Sequence, residues 1–186
     1  MQLAPIPLYY LPDPAAALTR SRDSSETTHG AAAAVDACEY LACLLIGALQ
    51  GADKAELLSP DFSPDPTWQP DRLCDPVRAI VEGSFKEKQP PEVRGTGYVV
   101  ESLEAALWAF NECSSFEEGA LLAVNLGDDA DTTGAVFGQL AGAHFGVRSI
   151  PESWVAKLAQ RPLLERMADD LLAASISTSG RTDDTT

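Results

Sequence analysis

Apolar residues along this 186-residue chain recur at three- and four-residue intervals, and no stretch alternates apolar with polar positions in the manner of a strand. Tyr98–Cys113 is the clearest case, with Val99, Leu103, Ala106, Leu107 and Phe110 on one helical face. Ala31–Gln50 is apolar on most faces, with Asp36 and Glu39 its only charges, so it predicts a helix at the centre of the fold, stopped by Gly51. Asp13 before Pro14 predicts a short helix running into Ser21, followed by a polar loop in which Thr27 or Thr28 caps the next element. Asp75 before Pro76 opens another helix through Val77, Ile80 and Val81, ending near Gly83. Ser115 and Glu118 form a capping box for a helix reaching Asn125, which Gly127 ends. Further helices are expected through Trp154 and Leu158 after Pro151, and from Leu163 to Ala173 after Pro162.

Between these lie segments without a helical pattern. Residues 1–12 are proline-studded and read as an extended lead-in, 59–72 contain four prolines, and Phe85–Gly97 reads as a loop closed by Gly95 and Gly97. The expected fold is all-α: one multi-helix domain over residues 1–174, with a polar tail, 175–186, expected to be disordered. One helix is unusual in carrying Gly134, Gly138 and Gly142 four apart. Three interior glycines cost about 3 kcal/mol relative to alanine, so close approach of a neighbouring helix is expected along that face.

With 45% apolar residues the chain can bury a core, and its formal charge of -15 makes nucleic acid and anionic membranes poor partners. Cys38, Cys43, Cys74 and Cys113 form no CxxC pair, and with only His29 and His144 they make no zinc set. They read as buried free thiols. The proline-broken N-terminus does not read as a signal peptide, and no apolar run is expected to approach the ~20 residues a membrane span needs. A cytoplasmic location is the expectation.

The candidate chemistry lies just before the glycine-bearing helix, where Asp128, Asp129, Asp131, Thr132 and Thr133 fall within six residues. Carboxylates so crowded repel one another unless a cation or helix N-terminal amides sit among them. One Asp would suffice as a helix cap, so the excess points to a hard metal such as Mg2+. An EF-hand starting at Asp129 fails because Leu140 occupies the place of the bidentate Glu. Asp129, Asp131 and Thr133 also spell the DxDxT of haloacid dehalogenase-like phosphotransferases, whose motif follows a buried strand, whereas here a capped helix precedes it.

Several stretches together resemble the ADP-ribosylglycohydrolase family of the dinitrogenase reductase activating glycohydrolase type. They are THGAAAAVDACEYLACLLIGALQG, GTGYVVESLEAALWAF, NLGDDADTTGAVFGQLAGAHFG and IPESWVAKL, in the family's order, covering about Leu3 to Ala173. The resemblance implies an all-α domain, two Mg2+ ions (Mn2+ in some members), and hydrolysis of the bond between ADP-ribose and an acceptor. It implies metal ligation by Asp129, Asp131 and Thr132. It places His29 at a Thr-His position near the site, and Gly95, Gly97 and Tyr98 in a segment lining the ADP-ribose cleft. Asp128 stands where many members have glycine and is grouped with the substrate-binding residues. Activation of water by the metal and stabilisation of charge at the ribosyl anomeric carbon are the implied chemistry.

Family members carry a further N-terminal stretch with a Gly-Asp segment, an acidic catalytic residue and a Thr-Asp-Asp-Thr ligand set, which these residues do not include. The resemblance therefore implies the C-terminal portion of the family domain, with no catalytic residue assigned within it. A Thr182-Asp183-Asp184-Thr185 run near the end of the sequence reads as solvated tail, the alternative being a permuted copy of that ligand set. The expected function is ADP-ribosyl hydrolysis, inactive alone if half the metal site is absent, with association expected through the surface the missing helices would cover. The alternative is a non-catalytic module that binds ADP-ribose or assembles with another chain.

Overall fold

Ala32–Gln50 is the axis around which the other helices pack. The computed structural model describes residues 3–179, and among them it contains helices and two short 3-10 turns but no strand. In chain order the helices are α1 (Pro5–Tyr9), α2 (Pro14–Glu26), α3 (Ala32–Gln50), α4 (Lys54–Leu57), α5 (Asp75–Val81) and α6 (Ser84–Glu87). After them come α7 (Val99–Glu112), α8 (Phe116–Val124), α9 (Ala130–Phe145), α10 (Glu152–Val155) and α11 (Arg161–Ser179). The all-α expectation holds. A DxDxT motif read as a phosphotransferase nucleophile has no strand to follow here, because Asp129 lies between α8 and α9.

Helix α3 is central because it offers almost no polar face: Leu41, Leu44 and Ile46 are fully buried, and α2, α7 and α9 pack on it from different sides. At 19 residues and mean hydropathy 1.7 it is long and apolar enough to cross a bilayer, which corrects the sequence expectation, although most of it is buried inside this fold. Its two charges are held from α2. Arg22 reaches Asp36 at 3.1 Å and also bonds Glu39, while Asp36, 5% exposed, accepts the Cys74 amide at 2.8 Å. A buried carboxylate needs such partners, so this network fixes the register of α2 and the start of α5 against α3. Gly51 ends α3 in the left-handed conformation, as expected of a C-cap.

Helices α7, α8 and α9 form a layer beside α3, with Phe110, Phe116 and Phe137 in its core. Ser115 caps α8 by accepting the Glu118 amide at 3.3 Å, and Glu118 answers to the Ser114 amide at 2.7 Å, one residue earlier than in the expected box. The glycines of α9 depart from expectation. A methyl group on Gly134 would lie 3.0 Å from Val124 Cγ1 of α8, but Gly138 and Gly142 face open space. A tight contact with α9 comes instead at Gly119 of α8, where a methyl would meet Phe137 Cζ at 2.4 Å and Cys113 Sγ at 2.7 Å.

Other departures share one cause, contacts distant in sequence. The segment expected to be extended contains α1, anchored by the Leu3 and Ala4 amides, which both donate to Gln139 Oε1 of α9 at 2.9 and 2.8 Å. Helix α2 starts at the Asp13 cap as expected but continues to Glu26, because Arg22 and the buried Ser21 and Ser25 face α3. Neither Thr27 nor Thr28 caps α3; its N-cap position is Ala31, with no side-chain bond. Ser84–Glu87 is a helical turn where a loop was expected, held by Ser84 and Lys88 bonding the buried Glu104. Helix α10 stops at Val155, short of Leu158, while α11 docks against α1 and runs to Ser179, past the expected boundary at 174. Thr182-Asp183-Asp184-Thr185 lies outside the described residues.

Candidate functional site

Two loops lock together at one end of the helix layer. Arg94–Tyr98 leads into α7, and Gly127–Asp129 leads into α9. The Asp129 amide donates to the Gly95 carbonyl at 2.7 Å, joining them backbone to backbone. Both glycines of the first loop are needed for this approach. A methyl on Gly95 would sit 2.7 Å from Thr133 Oγ1, and one on Gly97 would sit 3.2 Å from Asp129 Oδ2. The second loop turns sharply because Gly127 and Asp128 both take positive φ, 78° and 50°.

Beside the junction lies a cavity of about 800 Å3, within the range of small-molecule sites. His29, Gly97, Tyr98 and Thr132 line it, together with Cys38 and Ser102, which the sequence reading did not single out. Tyr98 is 51% exposed, so its ring is accessible from the cavity. His29 Nδ1 lies 3.0 Å from Thr28 Oγ1, so the ring is tied to a second lining residue. Burial pushes the Cys38 thiol above its ordinary value, which makes it a neutral wall rather than a nucleophile.

Two long helices, α3 and α7, begin at this cavity, and neither has a side chain capping its first turn. Their free N-terminal amides and positive dipole ends favour anionic groups. Asp129 begins α9 at the same place. Hydrogen bonding with the Thr132 side chain, aided by that with Asp131, holds the Asp129 carboxyl below its ordinary 3.8, although Asp129 makes no side-chain cap bond to the first-turn amides of α9. The acidic loop is thus relieved in part by a hydroxyl of the helix it starts.

Of the predicted residues, the structure brings together His29, Gly97, Tyr98 and Thr132 around the cavity, with Asp129 and Gly95 at its edge. Asp131 is exposed on the first turn of α9. Asp128 does not join them. Its left-handed backbone turns it toward a second cavity of about 670 Å3, where it lies 3.6 Å from Arg94 beside Trp108, Leu121 and Leu126. With regard to metal, the Asp129 and Asp131 carboxylates and the Thr132 hydroxyl are hard oxygen donors of the kind Mg2+ takes. Among the described residues no three His, Cys, Asp or Glu side chains gather closely enough to enclose an ion. The donors therefore match Mg2+ in chemical kind only.

Ser102 and Cys38 carried no sequence signal beyond their helical faces. The uncapped start of α3 did carry one, in that no Ser, Thr, Asp or Asn stands at Gly30 or Ala31.

Comparison with known proteins accords with this geometry. The model of the ADP-ribosylglycohydrolase family matches residues 1–181. The chain belongs to the ADP-ribosylglycohydrolase family. It is 40% identical over 172 residues to the ADP-ribosylarginine hydrolase Tri1 of Pseudomonas putida (strain GB-1), covering 92% of this chain and 44% of that protein. With the ADP-ribosyl-[dinitrogen reductase] glycohydrolase of Rhodospirillum rubrum it shares 38% identity over 87 residues, 46% of this chain and 30% of the relative. A solved ADP-ribosylglycohydrolase-related protein complex superposes with a TM-score of 0.82 at 45% identity, covering 91% of this chain and 57% of that one. The chain thus spans less than half the length of the curated relatives it matches, Tri1 of Serratia proteamaculans (strain 568) at 39% included.

Proposed function

We propose that this chain supplies one wall of an ADP-ribosyl hydrolase site, taking ADP-ribose or an ADP-ribosylated substrate in the cavity at Tyr98. The observation that carries this reading is the convergence of His29, Tyr98, Thr132 and two uncapped helix N-termini on one cavity next to Asp129. The names of its relatives supply the substrate class. Tyr98 offers a ring face to the base or a ribose, and the first amides of α3 and α7 suit the diphosphate. Asp129, Asp131 and Thr132 would hold Mg2+, with Mn2+ the other candidate. When bound, the ion would supply Lewis-acid stabilisation of charge developing at the anomeric centre. His29 is the further polar side chain of the lining that can orient the ligand. Among the described residues no acid lines the cavity, and turnover is proposed for this chain together with the remainder of a family domain. The open face at Gly138 and Gly142 is where such a remainder has room to pack. Four free cysteines, three of them buried, accord with a reducing cytoplasm.

Isothermal titration tests this reading. The chain should bind ADP-ribose in the presence of Mg2+, Tyr98→Ala should weaken binding about 10- to 100-fold, and Asp129→Asn should remove the Mg2+ dependence. Thermal unfolding of Tyr98→Ala should be unchanged, because so much of the ring is already in water. Absence of any ADP-ribose binding with Mg2+ present overturns the proposal; binding without hydrolysis even alongside the remaining family segment supports a binding module instead.

A further inference from the structure

Thr96 is the only side chain between Gly95 and Gly97, and every polar group it offers beyond its amide is engaged. Its hydroxyl donates to Glu101 Oε2 and accepts the Tyr98 amide at 3.2 Å, and its carbonyl accepts the hydroxyl of the buried Ser102. Glycines on both sides leave this loop little backbone preference of its own. Its path is therefore set by these side-chain bonds, by the backbone bond from Asp129 to Gly95 and, at its start, by the exposed Arg94–Asp128 pair at 3.6 Å. Glu101 lies in the first turn of α7, where an anion is favoured, yet it does not cap the helix; it reaches back to Thr96.

Resting on the function proposed above, we infer that Glu101 and Thr96 are positioning residues: a latch that holds Tyr98 and the acidic loop in one fixed relation. Tyr98 lies on one side of the latched loop, at the cavity. Asp129 lies on the other, hung from Gly95. Releasing Thr96 frees the loop between two glycines and moves both groups at once. Glu101 itself lines neither cavity, so it acts through Thr96 rather than on a ligand.

The test measures amide hydrogen exchange by NMR on the ligand-free chain, followed by ADP-ribose titration. In Glu101→Ala and in Thr96→Val the Asp129 and Tyr98 amides should exchange about tenfold faster than in the wild type, while core amides such as Leu107 are unaffected. Glu101→Gln and Thr96→Ser keep an acceptor and a hydroxyl and should restore wild-type exchange. ADP-ribose affinity should fall about tenfold in the first pair and recover in the second. Wild-type exchange of the Asp129 amide in both Glu101→Ala and Thr96→Val overturns the latch, as does a Glu101→Gln variant that exchanges as fast as Glu101→Ala. Core amides that speed up in parallel also overturn it, since they would mark a merely structural role. Because exchange is read without ligand, a wild type that fails to bind ADP-ribose counts against the proposed function alone, and the exchange result still decides the latch.

Discussion

The junction between the two loops makes a quantitative prediction at Gly95. Its φ is not in the positive range, so alanine costs nothing in backbone strain; the cost is contact. A Cβ there would sit 2.7 Å from Thr133 Oγ1 and 3.4 Å from the Gly127 carbonyl. Thr133 is fully buried, β-branched and bonded through its hydroxyl to the Asp129 carbonyl at 3.2 Å, so it cannot swing aside freely. Overpacking of this kind costs about 1–3 kcal/mol, and loosening the Asp129-to-Gly95 bond adds about 0.5–1.5 kcal/mol. Gly95→Ala should therefore lower stability by about 2–4 kcal/mol, and Tm by about 4–15 °C in a domain of this size. Removing the obstructing oxygen should relieve much of that. In the Gly95→Ala/Thr133→Ala double variant, urea unfolding followed by tryptophan fluorescence should give a loss at least about 1 kcal/mol smaller than the sum of the single losses. Losses that add to within about 0.5 kcal/mol would show that the methyl and the hydroxyl do not meet, and the account of the junction would be wrong.

Two further expectations follow from the same contacts. Gly138→Ala and Gly142→Ala, whose new methyls meet open space, should each stabilise the chain by about 0.5–1 kcal/mol in the same unfolding assay. Gly119→Ala, driven into Phe137 and Cys113, should destabilise it by about 2 kcal/mol or more; three substitutions of the same sign would refute the assignment of tight and open glycines. The Asp129 carboxyl, followed by NMR, should titrate below its ordinary 3.8, and Thr132→Val should move its midpoint back upward. A depressed folded-state value means that any stability from this contact is present above the unfolded pKa and lost as pH falls through the folded one. A midpoint at or above 3.8 would remove the Thr132 hydroxyl as its partner.

Helices α3, α7, α8 and α9 were legible because local signals agreed there: continuous or periodic apolar residues, Gly51 and Gly127 at helix ends, Ser115 at a start. Where the sequence reading erred, the deciding partner lay far along the chain. No local pattern announces that Gln139 will hold the Leu3 and Ala4 amides, or that Arg22 will reach Asp36 and Glu39 and extend α2 by more than a turn. The glycines teach the same lesson. Spacing singled out Gly134, Gly138 and Gly142, but whether a neighbour fills the space depends on the tertiary fold, which put a tight contact at Gly119. At the site, the resemblance put His29, Gly95, Gly97 and Tyr98 in the substrate set and Thr132 in the metal set, and the structure lines one cavity with His29, Gly97, Tyr98 and Thr132. The resemblance also put Asp128 in the substrate set, whereas a left-handed turn sends Asp128 toward Arg94. Thr96 and Glu101 were invisible, since a hydroxyl and a carboxylate five residues apart across a loop and a helix start follow no recurrent spacing.

The electrostatics of the site tie these features together. A chain with a formal charge of -15 repels a diphosphate at long range, and carboxylates beside the cavity add to the repulsion at short range. Two kinds of positive element oppose this. One is permanent: the starts of α3 and α7, which border the cavity with no side-chain cap. The other would be conditional, a divalent cation drawn by Asp129 and Asp131. An anionic ligand and a cation would then each improve the site for the other, and by reciprocity the gain must be equal in both directions. Such coupling demands that the carboxylates and the helix starts keep a fixed spacing, because Coulomb energies at contact distances change steeply with position. The Gly95 carbonyl is the point at which the acidic loop is hung from the loop that opens α7. That single hydrogen bond is where the anionic and cationic halves of the site acquire a common frame.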